Sequence, residues 1–572
     1  MASPVRHDSS PSQAFPDEKS AVGSDNKDSG FDNQHAATQY QGQVAEQNGL
    51  KRDLKGRQIS MIAIGGALGT GLVIGTGAGL KNAGPGSLFI GFCVMGAMCA
   101  AVMSALGEMS TFMPHPRGFA GHATRFVSPE FGFATGVNYL LKYWVITANQ
   151  VNAFALIVSY WRPDLSGGIF IAILWVFIVV LNTTGVKYFG EFEFWLSLFK
   201  IIVMVGLLLL LLIIDLGGSP TGDRIGFRNW QDGKAFSPYP GFGDTSLARF
   251  LGFWSVMVTA LFAYTGSELV AVTVGEASNP RKTVPAAIKK TFLRIIVFYI
   301  GGVLLIGMVV DSKTPLLLTA TKKSTSAAAS PFVVAINIAQ IKVLPDIINA
   351  ALLLFTVSAA NSDLYIAART LYGLALDGQA PRIFRRVDKR GIPYMALGLS
   401  SLFPALAFIN LSSGGPKTFS YLVNTVTILG GTAWLTILTT HIFFMRAMKA
   451  QGRSRDSLPW QAPLQPYSTY VATFFVSLVL ITKGWASFTH GFKVNDFITN
   501  YIGIPVFFIL IVGWKLWHKT KVWKPEEVDL VSGAKEFDEA DEQFWKQDEE
   551  KRAAMFKEAS FKQKVGMYLK EW

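Results

Sequence analysis

Twelve predominantly apolar runs punctuate the chain, at 59–80, 86–113, 131–160, 168–188, 193–215, 247–274, 288–311, 345–376, 394–411, 418–446, 466–486 and 497–518. Most approach or exceed the roughly 20 residues that cross a bilayer as a helix. Lipid offers no partner to backbone N–H and C=O groups, so spans of this kind must satisfy their own hydrogen bonds as helices. The pattern predicts an all-α polytopic membrane protein with about twelve transmembrane helices. Composition agrees, since half of the residues are hydrophobic and only 16% are charged, against roughly a quarter charged in soluble domains.

The charge that remains is unevenly placed. Residues 1–58 hold 7 basic and 8 acidic residues and residues 519–572 hold 11 and 13, which leaves 34 basic and 18 acidic residues for 59–518. The basic surplus therefore punctuates the apolar middle, as loops between membrane helices do, rather than lining a solvated face as in a nucleic-acid binder. An even number of spans puts both termini on one side. The loops on that side carry 17 Lys/Arg residues, among them Arg117, Arg125, Arg294, Arg382 and Arg390, against fewer on the longer opposite loops; this predicts that both tails are cytoplasmic. Residues 1–58, rich in Ser, Asp, Gln and Asn, read as a disordered N-terminal tail, 59–518 as the membrane domain and 519–572 as a C-terminal tail. In that last segment Phe544, Trp545, Met555, Phe556 and Phe561 suit either an amphipathic helix or a solvated one. The short apolar stretch 331–339 reads as an external helix lying on the protein. Cys93 and Cys99 share one apolar run and suggest neither a disulfide framework nor a metal site.

Function is sought where the spans depart from a plain anchor. The first run contains Gly65, Gly66, Gly69, Thr70, Gly71, Gly75 and Gly77, a density that suits either close helix packing or local unwinding. The sixth contains Phe262-Ala263-Tyr264-Thr265-Gly266-Ser267-Glu268, an acid in apolar surroundings. Interrupted helices at corresponding places in two halves mark a transporter binding site. If spans 1–5 and 6–10 are inverted repeats, these two breaks correspond. Freed N–H groups and helix N-termini then suit an anion and freed carbonyls suit a cation, and an α-amino acid carries one of each.

The segments 62–77 (IAIGGALGTGLVIGTG), 106–114 (LGEMSTFMP), 262–270 (FAYTGSELV), 275–288 (GEASNPRKTVPAAI), 358–381 (SAANSDLYIAARTLYGLALDGQAP) and 458–467 (LPWQAPLQPY) resemble the fungal amino-acid permeases of the amino acid–polyamine–organocation superfamily, in consistent order over roughly residues 50–520. The resemblance implies a proton-coupled amino-acid importer of the plasma membrane, with the LeuT-type five-plus-five inverted repeat plus two helices. It implies that Gly69, Thr70, Gly71 and Gly266 lie at the substrate, the first three holding its carboxylate. The carbonyls near Ala67, Ala263 and Thr265 would hold the ammonium, Phe262 would close over the substrate, and Glu268 would be the buried carboxylate of the sixth helix. Lys200 would occupy the place of a sodium ion beside Ser358 and carry the coupling proton; the alternative from position alone is a snorkelling lysine near the cytoplasmic end.

The third run points to the substrate. Lys142 and Gln150 lie eight residues apart, about 80° around an ideal helix, so both can face one cavity. Many relatives carry a glutamate where Gln150 stands and a small or polar residue where Lys142 stands, so the charge here moves by about two units toward positive. That favours a substrate with a second carboxylate, and the stretches 140–161 and 421–434 resemble the dicarboxylic (glutamate/aspartate) permeases. The alternative for Lys142 is pairing with Glu268 or Glu108. With the usual glutamate absent, the proton route falls to Lys200, Glu268 and Glu108. Asp363, Arg369 and Asp377 suggest an internal ion-pair cluster and cytoplasmic gate with Arg382–Arg390, or a solvated basic loop.

A membrane enzyme is disfavoured, because the sequence has neither a zinc-protease motif nor a nucleophile elbow and its histidines are scattered. A broad-specificity or neutral permease, or an amino-acid sensor using the same pocket, stays open. No cofactor or metal is expected. The expected partners are the amino acid, protons and the bilayer, with ubiquitin-ligase and trafficking machinery at tail lysines such as Lys19 and Lys27, and no nucleic acid. Asn410 stands in a sequon close to the bilayer.

Overall fold

A computed structural model describes residues 61, 69–115, 117–269, 280–322, 330–411, 415–489 and 491–531. Every regular element among the described residues is helical. A π-helical turn, Gly71–Gly75, runs directly into helix α1, Thr76–Phe112. The first two predicted spans meet inside α1 at Gly84, where φ is 81° and ψ 169°. Only glycine takes this conformation at little cost, and Pro85 follows, which disfavours helical backbone before it. The freed groups are not left bare: Gly86 N donates to the Ala235 carbonyl at 2.8 Å and Ser237 N to the Ala83 carbonyl at 2.9 Å. The loop between the fifth and sixth spans thus stitches the corner shut.

After a short helix α2, Phe119–Phe126, helix α3 runs over Pro129–Val158. Its start is set by Ser128, whose hydroxyl accepts from Phe131 N, by Pro129 at the first helical position and by Glu130 in the first turn. Helices α4, Gly167–Asn182, α5, Val186–Asp215, and α6, Ser246–Tyr264, follow. Then come α7, Pro280–Arg294, and α8, Gly301–Val309, joined by a π-helical stretch Ile295–Ile300. The predicted external helix is α9, Pro331–Ile338, whose first six residues are all buried. The remaining long helices are α10, Leu344–Leu376, α11, Gly415–Ala450, α12, Tyr467–Thr482, and the pair α13, Val494–Tyr501, and α14, Gly503–His518.

Among the described residues seven helices are long and apolar enough to cross a membrane, or eight if the pair α13 and α14, bent by 48°, is one span. The other predicted spans have identifiable reasons for falling short. The first is fused to the second through Gly84, and the fourth is only 16 residues long. The ninth divides into Tyr394–Ser400 and a 3-10 stretch Phe403–Leu411. The third, α3, is long but buries Asn138, Lys142, Thr147, Asn149, Gln150 and Asn152 within it. Buried polarity of this kind inside a membrane bundle belongs to a functional interior rather than to the lipid face. α3 packs against both α10 and α11, and α1 packs against α6, and side chains of α3 reach the first and sixth segments, Gln150 at Thr70 and Lys142 at Glu268.

Part of the predicted C-terminal tail is built into the bundle. Trp523 donates through its backbone N to the Val127 carbonyl and through Nε1 to the Thr124 carbonyl, each at 3.0 Å. Arg125 reaches Asp529 at 2.9 Å, and Val528 and Leu530 are buried. The expected N-terminal tail and the amphipathic stretch at 544–561 lie outside the described residues, as does Ala67.

Candidate functional site

Two interrupted segments face each other. In the first, Gly69 and the buried Thr70 lead into the π-helical turn. In the second, α6 ends at Tyr264, Thr265 takes an extended ψ of 133° and Gly266 has a φ of 103°. A turn through Ser267 and Glu268 follows, with Ser267 N donating to the Tyr264 carbonyl and Leu269 N to the Gly266 carbonyl. The segments all but touch: a methyl group added at Gly71 would stand 2.7 Å from the Ala263 Cα and 3.2 Å from a ring carbon of Phe262. Glycine at 71 is therefore a close-approach requirement, and of the two readings open for the glycine run, both local unwinding and close packing are present.

α3 brings two side chains to these breaks. Gln150 accepts from the Thr70 hydroxyl at 3.3 Å, and its Nε2 is the nearest atom to Gly69, 3.9 Å from a Cβ built there. Lys142, fully buried, forms an ion pair with the equally buried Glu268. Its ammonium also lies 5.1 and 4.7 Å from the ring centroids of Tyr139 and Tyr143, whose hydroxyls are 3.2 Å apart; aromatic faces stabilise a desolvated cation. The Glu268 carboxylate is held further by Trp434 Nε1 at 3.2 Å and Gly266 N at 3.0 Å. The two α3 residues thus attend one break each, and pairing of Lys142 with Glu268 is what the structure contains.

Arg294 corrects the assignment of that residue to a loop. It is 2% exposed, and its Nη2 donates to the Ser267 hydroxyl at 2.7 Å. The seventh span begins earlier than its apolar run, at Thr283, so Arg294 stands well inside it and props the second break from behind.

Lys200 is fully buried beside a neighbour that its own run does not advertise. Glu193, seven residues earlier on α5 and also fully buried, approaches its Nζ at 3.8 Å. Ser358, expected next to Lys200, donates at 2.6 Å to the same Glu193 Oε1 that Lys200 approaches. A snorkelling lysine does not fit this geometry.

Glu108 is placed differently from the other two candidates for proton transfer. Its carboxylate pairs with Arg455, lies 3.0 Å from His441 Nε2 and accepts from Ala462 N at 2.8 Å. It fastens the end of α1 to α11 and to the segment after it, with no contact to either break among these partners. The predicted cluster of Asp363, Arg369 and Asp377 is spread along α10 and its C-terminal cap, with Arg385 of the basic loop donating to the Ala375 carbonyl beside Asp377. Asp377 pairs with Arg117, the Arg369 guanidinium stacks 3.6 Å from the Tyr365 ring centroid, and Asp363 is buried separately. Their spacing sets Asp363 and Arg369 about 9 Å apart along α10, with Asp377 about 12 Å further on at its C-terminal cap.

Among the described residues no group of three His, Cys, Asp or Glu side chains is placed to hold a metal ion. Of the functional neighbours, Glu193, Arg294 and Trp434 were not legible as such. The nearest signal was the charge of Glu193 and Arg294 at the edge of an apolar run.

Comparison with known proteins places this architecture. The family model described as amino acid permease matches residues 58–527. The dicarboxylic amino acid permease of Saccharomyces cerevisiae is 48% identical over 509 residues, covering 88% of this chain and 84% of that one. An uncharacterised amino-acid permease of Schizosaccharomyces pombe is 44% identical over 481 residues, covering 84% and 92%. The lysine-specific permease of S. cerevisiae is 40% identical over 507 residues, covering 88% and 82%.

Proposed function

Because the chain belongs to the amino acid permease family and is a transporter rather than an enzyme, we propose that it imports acidic L-amino acids, glutamate and aspartate, across the plasma membrane together with protons, by alternating access, with both termini in the cytoplasm. The substrate lies between the two breaks. Its α-carboxylate is received by backbone N–H groups at Gly69, Thr70 and Gly71, where helix ends favour an anion. Its ammonium is received by carbonyls at Ala67, Ala263 and Thr265, with Gly266 giving the backbone its turn and Phe262 closing over the site. The five-plus-five inverted repeat supplies the rocking motion that exposes the site to each side in turn.

The observation that carries the acidic reading is the placement of Lys142 and neutral Gln150 against the breaks. An ammonium has three donors, and Glu268 takes one, so Lys142 retains donors for a side-chain carboxylate while Glu268, Tyr139 and Tyr143 hold it in position. The similarity to the dicarboxylic permease supports the same reading. Proton movement needs a titratable group inside the bundle, where Lys200, Glu268 and Glu108 are all buried, and Glu108 has a supporting, structural place. A neutral or broad-specificity permease is the second reading, favoured by the Lys142–Glu268 pair itself, since a neutralised pair adds no net charge to the pocket. Competition against labelled glutamate uptake at two external pH values separates them. The acidic reading expects aspartate to compete and lysine, proline and leucine not to, with uptake rising in acid; equal competition by neutral amino acids supports the second reading.

A further inference from the structure

Three buried carboxylates of the bundle each have a cation partner. Glu268 has Lys142, Trp434 and the Gly266 N–H. Glu193 has Ser358 and Lys200 at Oε1, with no hydrogen-bond partner for Oε2 among the described residues, and Glu108 has Arg455, His441 and the Ala462 N–H. Asp363 is different. It is 6% exposed, and its Oδ2 has no hydrogen-bond partner among the described residues. It stands on α10, which packs directly against α3 and α5, the helices that carry the two buried lysines. The groups whose charge it feels come from each of those elements and from the second break: Lys142, Tyr139 and Tyr143 on α3, Lys200 and Glu193 on α5, and Glu268 after α6. On α10 itself, Arg369 is engaged with Tyr365; of the other elements packed against α10, α4 and α9 carry no titratable residue, while the stretch Arg382–Arg385 brings Arg382 and Arg385 and the helix Tyr394–Ser400 brings Tyr394.

Within this set two lysines face three carboxylates. Each lysine already has its own carboxylate partner, so an ionised Asp363 is the anion left without a matched cation, and an unmatched charge away from water is strongly disfavoured. A proton on Oδ2 removes that charge and supplies a donor where the oxygen has no partner. We propose that Asp363 is the residue that takes up and releases the transported proton, in place of Lys200, Glu268 or Glu108. In the outward-open state an O–H bond forms at the Asp363 carboxylate with a proton from the external medium. In the inward-open state that bond breaks and the proton leaves to the cytoplasm. The two lysine–glutamate pairs stay intact throughout and hold the surrounding field constant.

This inference rests on the proton-symport reading above, and one experiment separates the two. The full-length protein in proteoliposomes is assayed for exchange of labelled against unlabelled L-glutamate without a gradient, and for accumulation driven by a pH gradient, acid outside. One proton per substrate gives about tenfold accumulation per pH unit, the same ratio that one pH unit represents in a protonation equilibrium. The wild type is expected to do both. Asp363→Asn is expected to keep exchange while its accumulation ratio falls from about tenfold to about one, and Asp363→Glu to keep accumulation. Gradient-driven accumulation by Asp363→Asn at the wild-type level overturns the assignment while leaving symport standing, as does loss of exchange in an Asn variant that is folded. If the wild type exchanges but ignores the gradient, symport itself fails and the assignment with it. Should the Asn variant not fold, the pH dependence of uptake by Asp363→Glu decides: a displaced profile supports the role and an unchanged one refutes it.

Discussion

Adding one methyl group at Gly71 tests whether the two broken segments really share a site. A Cβ at this position would lie 2.7 Å from the Ala263 Cα, 3.2 Å from the Ala263 N and 3.2 Å from a ring carbon of Phe262. Non-bonded carbons settle at about 3.5–4.0 Å, so Gly71→Ala requires the segments to part by about 1 Å. The closest atom is backbone, which cannot rotate aside as a side chain can. Overpacking of this kind costs about 1–3 kcal/mol, and a displacement of about 1 Å between groups that must act together can cost about a hundredfold in rate. Gly75, one turn further on, is the control. A Cβ there would meet Thr259 at 3.9 Å and Phe262 at 4.0 Å, ordinary contact distances. Uptake of labelled glutamate, normalised to protein at the cell surface, is therefore expected to fall by about two orders of magnitude in Gly71→Ala and to persist in Gly75→Ala. Equal uptake by the two variants would refute the close approach of the breaks.

The buried Lys142–Glu268 pair predicts non-additive losses. Lys142→Met or Glu268→Gln alone should cost about 3–5 kcal/mol of stability by stranding a charge, read as lost thermal stability in detergent, whereas the double variant should recover most of it. Additive losses would contradict the pair. Glu108→Gln should lower stability by about 1–3 kcal/mol, because Arg455 and His441 lose a charged partner, and should leave the pH profile of uptake unmoved; a displaced profile would return Glu108 to the proton route.

What was legible in the sequence was local. The apolar runs locate their helices because hydropathy over about 20 residues is decided by the run itself. The glycines at 69–75 and the Thr265-Gly266 step mark the breaks because backbone freedom is also a local property. The partners of buried charges are not local. Glu193 looks like the boundary of a run, but α5 begins at Val186, and its hydroxyl partner Ser358 is 165 residues away. Arg294 passes for loop charge until α7 is seen to start well before the apolar run and Ser267 is found against it. Glu108 finds Arg455 at a separation of 347 residues, and no pattern around either one announces it. For Lys142 the sequence offered the substrate, or an internal acid, Glu268 or Glu108, as the partner. The fold supplies Glu268, while Glu108 is taken by Arg455 and His441, and the spare donors of the ammonium keep the substrate in play.

The structure of the full-length protein with L-glutamate bound would bear most directly on this account. The predicted result has the α-carboxylate on the N–H groups of 69–71, the ammonium on carbonyls of the second break, and the side-chain carboxylate within about 4 Å of Lys142 Nζ, the span of an ion pair. A glutamate seated with its side chain away from Lys142, or bound outside the two breaks, would contradict it.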